Sequence, residues 1–133
     1  MVPFKVDLAS KVAVITGGGG VLCGVMAEAL AGCGAKIAIL DLKLDAAETT
    51  ATRLRKKGYQ AIGVDANVLD LESLRNAEKL VREKFGACDI LVNGAGGNHP
   101  KGTTSNEFLT ENDLKKIGTE SFVSFFDLSP EGI

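Results

Sequence analysis

The sequence is short of the side chains from which active sites are most often assembled. It has one histidine, one tyrosine and three cysteines in 133 residues. Cys23, Cys33 and Cys88 are odd in number, widely spaced and form no Cys-x-x-Cys pair. A disulfide framework or a zinc site is therefore not expected, and the three read as small buried apolar residues. His99 is the sole histidine, so no Ser–His–Asp triad or metal cluster can be put together; it reads as a loop residue, with substrate contact as the sharper alternative. No apolar run approaches the ~20 residues of a membrane helix. The N-terminal "MVPFKVDLASK" lacks the apolar core and cleavage-like site of a signal peptide, which leaves a cytoplasmic location as the default. Nor is one sign of charge in excess. Fifteen basic and 17 acidic residues give a formal charge of −2, which argues against a nucleic-acid surface or a polybasic membrane surface.

What the sequence does have is glycine in unusual places. "VAVITGGGGVLCG" sets four consecutive glycines, Gly17 to Gly20, directly after an apolar run. Glycine loses more backbone entropy on ordering than any other residue, so something must compensate. A second cluster, "NGAGG", begins at Asn93.

Between the clusters the pattern alternates. "KVAVIT" is a short β-branched run that stops at glycine, a buried strand. "CGVMAEALAGCG" reads as a helix with Val25, Leu30 and the intervening alanines on its packed face and Gly34 as its stop. "AKIAILD" is a second strand ending at Asp41. "DAAETTATRLRKKG" is a second helix with Asp45 as N-cap, basic residues in the last turn and Gly58 beyond it. "YQAIGVD" is a third strand. "DLESLRNAEKLVREKFG" is a third helix capped by Asp70, with Leu71, Leu74, Ala77, Leu80, Val81 and Phe85 at helical spacing. "CDILVNGAGG" is a fourth strand running into the second glycine cluster. The remainder is polar and loop-like, with one helical turn near Asn112 to Lys116.

Strands alternating with helices of ~10–17 residues specify repeated βαβ units and a parallel sheet. The near-continuous apolar strands agree, because parallel strands are covered on both faces. With right-handed crossovers, the expected fold is α/β, a Rossmann-like doubly wound parallel sheet with strand order 3-2-1-4. Both glycine turns then lie at the switch point between strands 1 and 4, where open α/β sheets bind ligands. Bare backbone there lets a phosphate approach, and the first helix presents unpaired N–H groups and its positive dipole end. A tight strand–helix turn with no ligand is the alternative. Asp41 adds weight to the first reading. It ends strand 2, 24 residues after Gly17, where a carboxylate suits the ribose hydroxyls of an adenosine and repels a 2′-phosphate. Lys43, two positions on, is a solvated charge or a feature that softens that discrimination.

Together, "TGGGGVLCG", the acidic end of "AILD", "GVDANVLD" and "ILVNGAGG" resemble the short-chain dehydrogenase/reductase family. "NGAGGNHPKGTT" and "FFDLSPEGI" resemble most its sugar-acid branch, the D-mannonate or fructuronate oxidoreductases. The resemblance implies NAD as cofactor, a small-molecule sugar-acid substrate, no nucleic-acid or membrane partner, and a homo-oligomer, a tetramer in the parent protein. Carried over position by position, it implies that Gly17, Gly19, Gly20, Val21 and Leu22 line the pyrophosphate and nicotinamide side. It likewise implies that Asp41 and Leu42 hold the adenosine ribose, that Asp65 and Ala66 flank the adenine, and that Asn93, Gly94 and Ala95 meet the nicotinamide ribose.

The sequence departs from the family pattern in two ways. The family's loop is usually Thr-Gly-x-x-x-Gly-x-Gly; laid on from Thr16, Val21 and Cys23 occupy its second and third glycine positions, and Gly94 replaces the second asparagine of Asn-Asn-Ala-Gly. The family's acid/base pair, Tyr-x-x-x-Lys, is absent: Tyr59 is followed by "QAIG". "LSPEGI" reads as a helix start, Ser129 as N-cap and Pro130 at N1. The expectation is therefore that residues 1–133 are the N-terminal portion of one NAD-binding Rossmann domain, truncated before the catalytic half and without a catalytic residue of its own. A non-catalytic nucleotide-binding module and an inactive interaction protein are the other two readings.

Overall fold

The computed structural model describes residues 6–97 and 102–128. It divides into two units, one ending at Ala95 and one beginning at Gly96. The first carries β1 (Val12–Thr16), α1 (Val21–Gly32), β2 (Lys36–Asp41), α2 (Leu44–Lys56), β3 (Ala61–Asp65), α3 (Leu71–Phe85) and β4 (Ile90–Asn93). The strands form one parallel sheet in the order β3-β2-β1-β4, as the βαβ alternation predicts.

Alternate residues of the strands face opposite layers. Ala13, Ile15, Ile37 and Ile39 pack beneath α1 and α2 with Ala27, Ala31, Ala47, Ala51 and Leu54. Val12, Val14, Ala38, Leu40 and Val64 pack beneath α3 with Ala77 and Val81. Four buried alanines on α1 and α2 let those helices lie close to the sheet. The packed face of α1 is thus built from its small residues, Cys23, Gly24, Ala27 and Ala31. Val25, expected on that face, is 63% exposed, and Leu30 is only half-buried. Helix α2 starts two residues earlier than the sequence suggested. Lys43 is its N-cap and Asp45 lies in the first turn. Asp70 caps α3 as expected, its carboxylate accepting from the Glu72 N–H at 3.0 Å. On α3, however, Leu71 and Leu80 are exposed rather than packed, because the helix covers only part of its sheet face.

The start of β4 is held to β1 by Asp89. Its carboxylate accepts the Val12 N–H and the Lys11 ammonium, each at 2.9 Å. The Val12 N–H first and Lys11 second hold this carboxyl below the usual range.

In the second unit Thr110 and Asp113 form a capping box around the single turn α4 (Glu111–Leu114), where one turn was expected. The Thr110 hydroxyl, joined by its own N–H, Lys116 and Asn106, draws the Asp113 carboxyl down to about 2. A depressed carboxyl stabilises the fold above its unfolded value, and this box is lost only as pH falls through that lower value. Ser124 caps the 3-10 turn Phe125–Asp127 in the same way. Ser129 and Pro130, read as a helix start, lie outside the described residues.

Among the described residues, no strand pairs with the outer side of β4. Leu91 is 57% exposed there. Beside it runs a groove of about 510 Å³ between α3 and β4, lined by Val14, Leu74, Val81 and Leu91. An open edge with an apolar flank is a template for pairing with another chain, and each large aliphatic side chain left uncovered forgoes ~1.5–3 kcal/mol. Residues 1–133 are therefore expected to self-associate in solution. Size-exclusion chromatography with light scattering checks this, and a monodisperse monomer contradicts it.

Candidate functional site

The carboxyl ends of the strands bring together most of the positions singled out in the sequence. Thr16, at the end of β1, lies beside Leu40 of β2 and Asn93 of β4, and Asp41 lies beside Asp65 of β3. The loops after β1 and β4 are in direct contact. Gly17 has φ +64°, and a Cβ on it would lie 2.7 Å from the Gly94 carbonyl oxygen and 2.9 Å from the Ala95 Cα. Only glycine fits there, both for its left-handed backbone and for the approach of the second loop. Thr16 ties the two loops together, its buried hydroxyl oxygen accepting from the Gly94 and Ala95 N–H groups at 3.1 Å each.

The rest of the glycine run answers to the protein's own packing as well. A Cβ on Gly18 would lie 2.7 Å from Ile39 Cγ2, and one on Gly19 would lie 2.6 Å from Ala46 Cβ at the start of α2. Three glycine amides are already committed. Gly18 donates to the Leu40 carbonyl at 3.1 Å, Gly19 to Asp41 Oδ2 at 3.0 Å and Gly20 to the Gly17 carbonyl at 3.1 Å. The N–H groups offered outward are those of the first turn of α1, at Val21 and Leu22, which an α-helix leaves without carbonyl partners. Gly20, the N-cap, supplies no side-chain acceptor, and the first turn holds no acidic residue. The positive end of α1 is therefore uncompensated. The side chains of Val21 and Leu22 project into solvent, 85% and 75% exposed.

On the other side of β1, the half-buried Asp41 is held at both oxygens. Oδ2 accepts from Gly19 N–H at 3.0 Å and Oδ1 from Lys43 N–H at 3.1 Å. Each oxygen keeps a further lone pair. Leu42 is exposed, and a shallow depression next to it is lined by Gly19, Lys43, Leu44, Asp45 and Ala46. Asp65 is exposed at the end of β3. Ala66 donates its N–H to the Asp41 carbonyl at 2.8 Å, and its side chain is buried in the α3-side core, so it offers a ligand main chain only. Asn93, Gly94 and Ala95 are exposed at the end of β4.

Of two further residues at the site, Thr16 was not singled out from the sequence, and Cys23 was noted there as a departure from the loop pattern. Thr16 could have been noticed as the one polar residue ending an apolar strand. Cys23 is buried on α1 with its sulfur against Gly94, and nothing in a single sequence signals that contact. Tyr59 packs half-buried against the α1/α2-side core at the opposite end of the strands. His99 lies outside the described residues. Among the described residues, no group of three or more His, Cys, Asp or Glu side chains is placed to hold a metal ion. No helix among the described residues is long and apolar enough to cross a membrane.

Comparison with known proteins decides the family. Residues 11–132 match the short chain dehydrogenase family model. The chain belongs to the short-chain dehydrogenase family. It is 45% identical over 127 residues to an uncharacterized oxidoreductase of Haemophilus influenzae, covering 96% of this chain and 43% of that protein. It is 42% identical over 132 residues to an uncharacterized oxidoreductase of Bacillus subtilis, covering 99% and 45%. A solved structure from Haemophilus influenza, provisionally named a D-mannonate oxidoreductase and holding NAD, superposes with TM-score 0.79 at 42% identity, covering 96% of this chain and 44% of that one. A hydroxysteroid dehydrogenase from Escherichia coli gives TM-score 0.67 at 28% identity, covering 83% and 45%. The chain thus spans under half the length of the curated relatives it matches.

The loops that follow β1 and β4 are joined through one hydroxyl. Thr16→Val is expected to leave the Gly94 and Ala95 amides without their acceptor. Both amides lie where water can reach them, so the loss is expected near the lower end of the ~1–3 kcal/mol typical of an unmade bond. Chemical denaturation measures it, and faster hydrogen exchange at residues 94 and 95 should accompany it. Thr16→Ser should behave as wild type. Unchanged exchange in Thr16→Val would show that the hydroxyl does not hold the loops.

Proposed function

We propose that this chain is the dinucleotide-binding part of an NAD-dependent oxidoreductase that moves hydride between NAD and a hydroxyl or keto carbon of a sugar acid, of the D-mannonate/fructuronate type. The observation that carries the reading is Asp41. A carboxylate fixed by two main-chain amides stands at the end of β2, one loop away from the uncompensated N-terminus of α1. A fixed carboxylate is a ready acceptor for two neighbouring ribose hydroxyls, and a bare helix start suits a pyrophosphate.

The residues present fit NAD. The Val21 and Leu22 amides would meet the pyrophosphate, with Gly17, Gly19 and Gly20 keeping the loop thin beneath it. Asp41 and Leu42 would hold the adenosine ribose, and Asp65 and Ala66 the edge of the adenine. Asn93, Gly94 and Ala95 would meet the nicotinamide ribose. NAD when bound supplies the hydride acceptor. This chain's part is to bind and orient it, since no Tyr-x-x-x-Lys is available to move a proton at the substrate oxygen. The sugar-acid substrate is supported by the relative that bears the D-mannonate name, and a homo-oligomer of the parent, a tetramer by family resemblance, belongs to the same reading. The missing acid/base pair favours one rival, a nucleotide-binding module without turnover.

Two outcomes are expected. Calorimetric titration of the chain should give a dissociation constant for NAD at least tenfold below that for NADP, since a 2′-phosphate would meet the Asp41 carboxylate. Asp41→Ala should narrow the gap, because it removes the like charge that faces the 2′-phosphate. Equal or tighter binding of NADP overturns the assignment. In the second, residues 1–133 incubated with NAD and D-mannonate should form no NADH above a blank, because general acid–base catalysis typically contributes ~10²–10⁴-fold. Clear turnover would mean that a residue of this chain does the proton transfer.

A further inference from the structure

The two departures from the family's loop pattern meet in space. Gly94 stands where the family has its second asparagine, and Cys23 where it has a glycine. A Cβ built on Gly94 would lie 2.2 Å from Cys23 Sγ, while it would lie 3.6 Å from the Cys23 Cβ. Ordinary non-bonded contacts fall near ~3.5–4.0 Å, so the sulfur, and not the rest of the Cys23 side chain, occupies the space that a side chain at position 94 would need. The thiol has little freedom to yield. It sits one-tenth exposed or less on the packed face of α1, and a helix disfavours one of its three rotamers by collision with the preceding turn. A second obstacle at position 94 is the Thr16 carbonyl oxygen at 2.9 Å, which as strand backbone yields less readily than a side chain. The backbone of Gly94 is not in the left-handed region, so its glycine is demanded by these two contacts, the sulfur the closer, rather than by conformation.

We propose that Cys23 and Gly94 are a matched pair, in which the thiol substitutes for a side chain at position 94 and sets how closely the loop after β4 sits against the start of α1. Cys23 is then a positioning residue for the nicotinamide-ribose side of the cofactor site. It acts through the Gly94–Ala95 backbone, whose two amides are held by Thr16. This rests on the NAD reading given above.

The test is a cycle of four full-length chains: wild type, Gly94→Ala, Cys23→Ala and the double variant. NAD affinity, ADP affinity and the thermal midpoint are read for each. Gly94→Ala should weaken NAD tenfold or more and lower the midpoint. Cys23→Ala takes away the group that spaces the loop after β4 and should weaken NAD about threefold while leaving ADP unchanged. The double variant, which removes the sulfur that meets the new methyl but keeps the contact with the Thr16 carbonyl, should bind NAD at least threefold more tightly than Gly94→Ala. Replacing Cys23 by serine in the Gly94→Ala background keeps an atom where the sulfur was and should not rescue. ADP lacks the nicotinamide ribose and should bind all four proteins alike; a general collapse of the fold would weaken ADP as well and overturn the positioning role. The proposal is also overturned if Gly94→Ala binds NAD normally, or if the double variant is no better than Gly94→Ala. If Gly94→Ala does not fold, folding of the double variant supports the pairing and its failure to fold overturns it. A wild-type chain that binds ADP but not NAD, with the cycle still closing in the thermal midpoints, would refute the NAD reading and leave the pair intact.

Discussion

Everything at the ligand end of this molecule depends on how closely two loops can pass. Parallel pairing of β1 with β4 places Thr16 beside Asn93, and the chain leaves both strands in the same direction. The two loops must therefore cross the same small space. They do so because neither carries a side chain at the point of crossing. Gly17 leaves room for the Gly94 carbonyl, Gly94 leaves room for Cys23, and the Thr16 hydroxyl draws in two amides that would otherwise be unpaired. A single added methyl on either glycine would push the loops apart. The amides of α1 and the end of β4 would then no longer share one face.

The same economy governs the electrostatics. The start of α1 is a positive end with no acidic residue in its first turn. The nearest fixed carboxylate, Asp41, is turned toward the loop rather than onto the helix, and spends one hydrogen bond on Gly19 and one on Lys43. That arrangement keeps the carboxylate acceptor from satisfying the helix-start donors. The helix start stays open to an anion, and the carboxylate stays open to hydroxyl groups. Because Gly19 N–H points at Asp41, it cannot also point at a phosphate. The outward donors are the amides of Val21 and Leu22, and an amide donor does not require glycine. A valine at a position that is usually glycine costs the loop nothing that a phosphate would use.

Much of this was legible in the sequence. Elements, their order and the parallel sheet follow from alternating apolar runs and helical spacing, and the 3-2-1-4 order follows from the handedness of the crossovers. Asp41 and the glycine run stood out because the expected strand order brings their strand ends to one switch point, and Asn93 through the family resemblance. What could not be read was direction and contact. Periodicity treats Val25, Leu71 and Leu80 as packed because they are apolar, but burial is set by which layer exists to cover them. On α1 the sheet is approached through alanines, and large side chains fall outside. Nor can spacing tell whether a glycine amide points into the protein or out of it. It gives still less warning that residues 71 positions apart, Cys23 and Gly94, share one volume.

The alanine-lined face and the glycine loop are two parts of one device. Ala27 and Ala31 of α1 and Ala47 and Ala51 of α2 are fully or almost fully buried, so both helix axes lie near the sheet, and their first turns lie low over its carboxyl edge. Ala46 in the first turn of α2 is close enough that a methyl on Gly19 would strike it. With larger residues in those rows the helices would ride higher, and the glycine run would have slack to spare. Asp41, anchored to Gly19 from the sheet, would then have to choose between its strand and the loop. Close packing in the later turns of each helix thus sets the geometry at its start, and the entropy lost in ordering four glycines is offset by contacts that no larger residue could make.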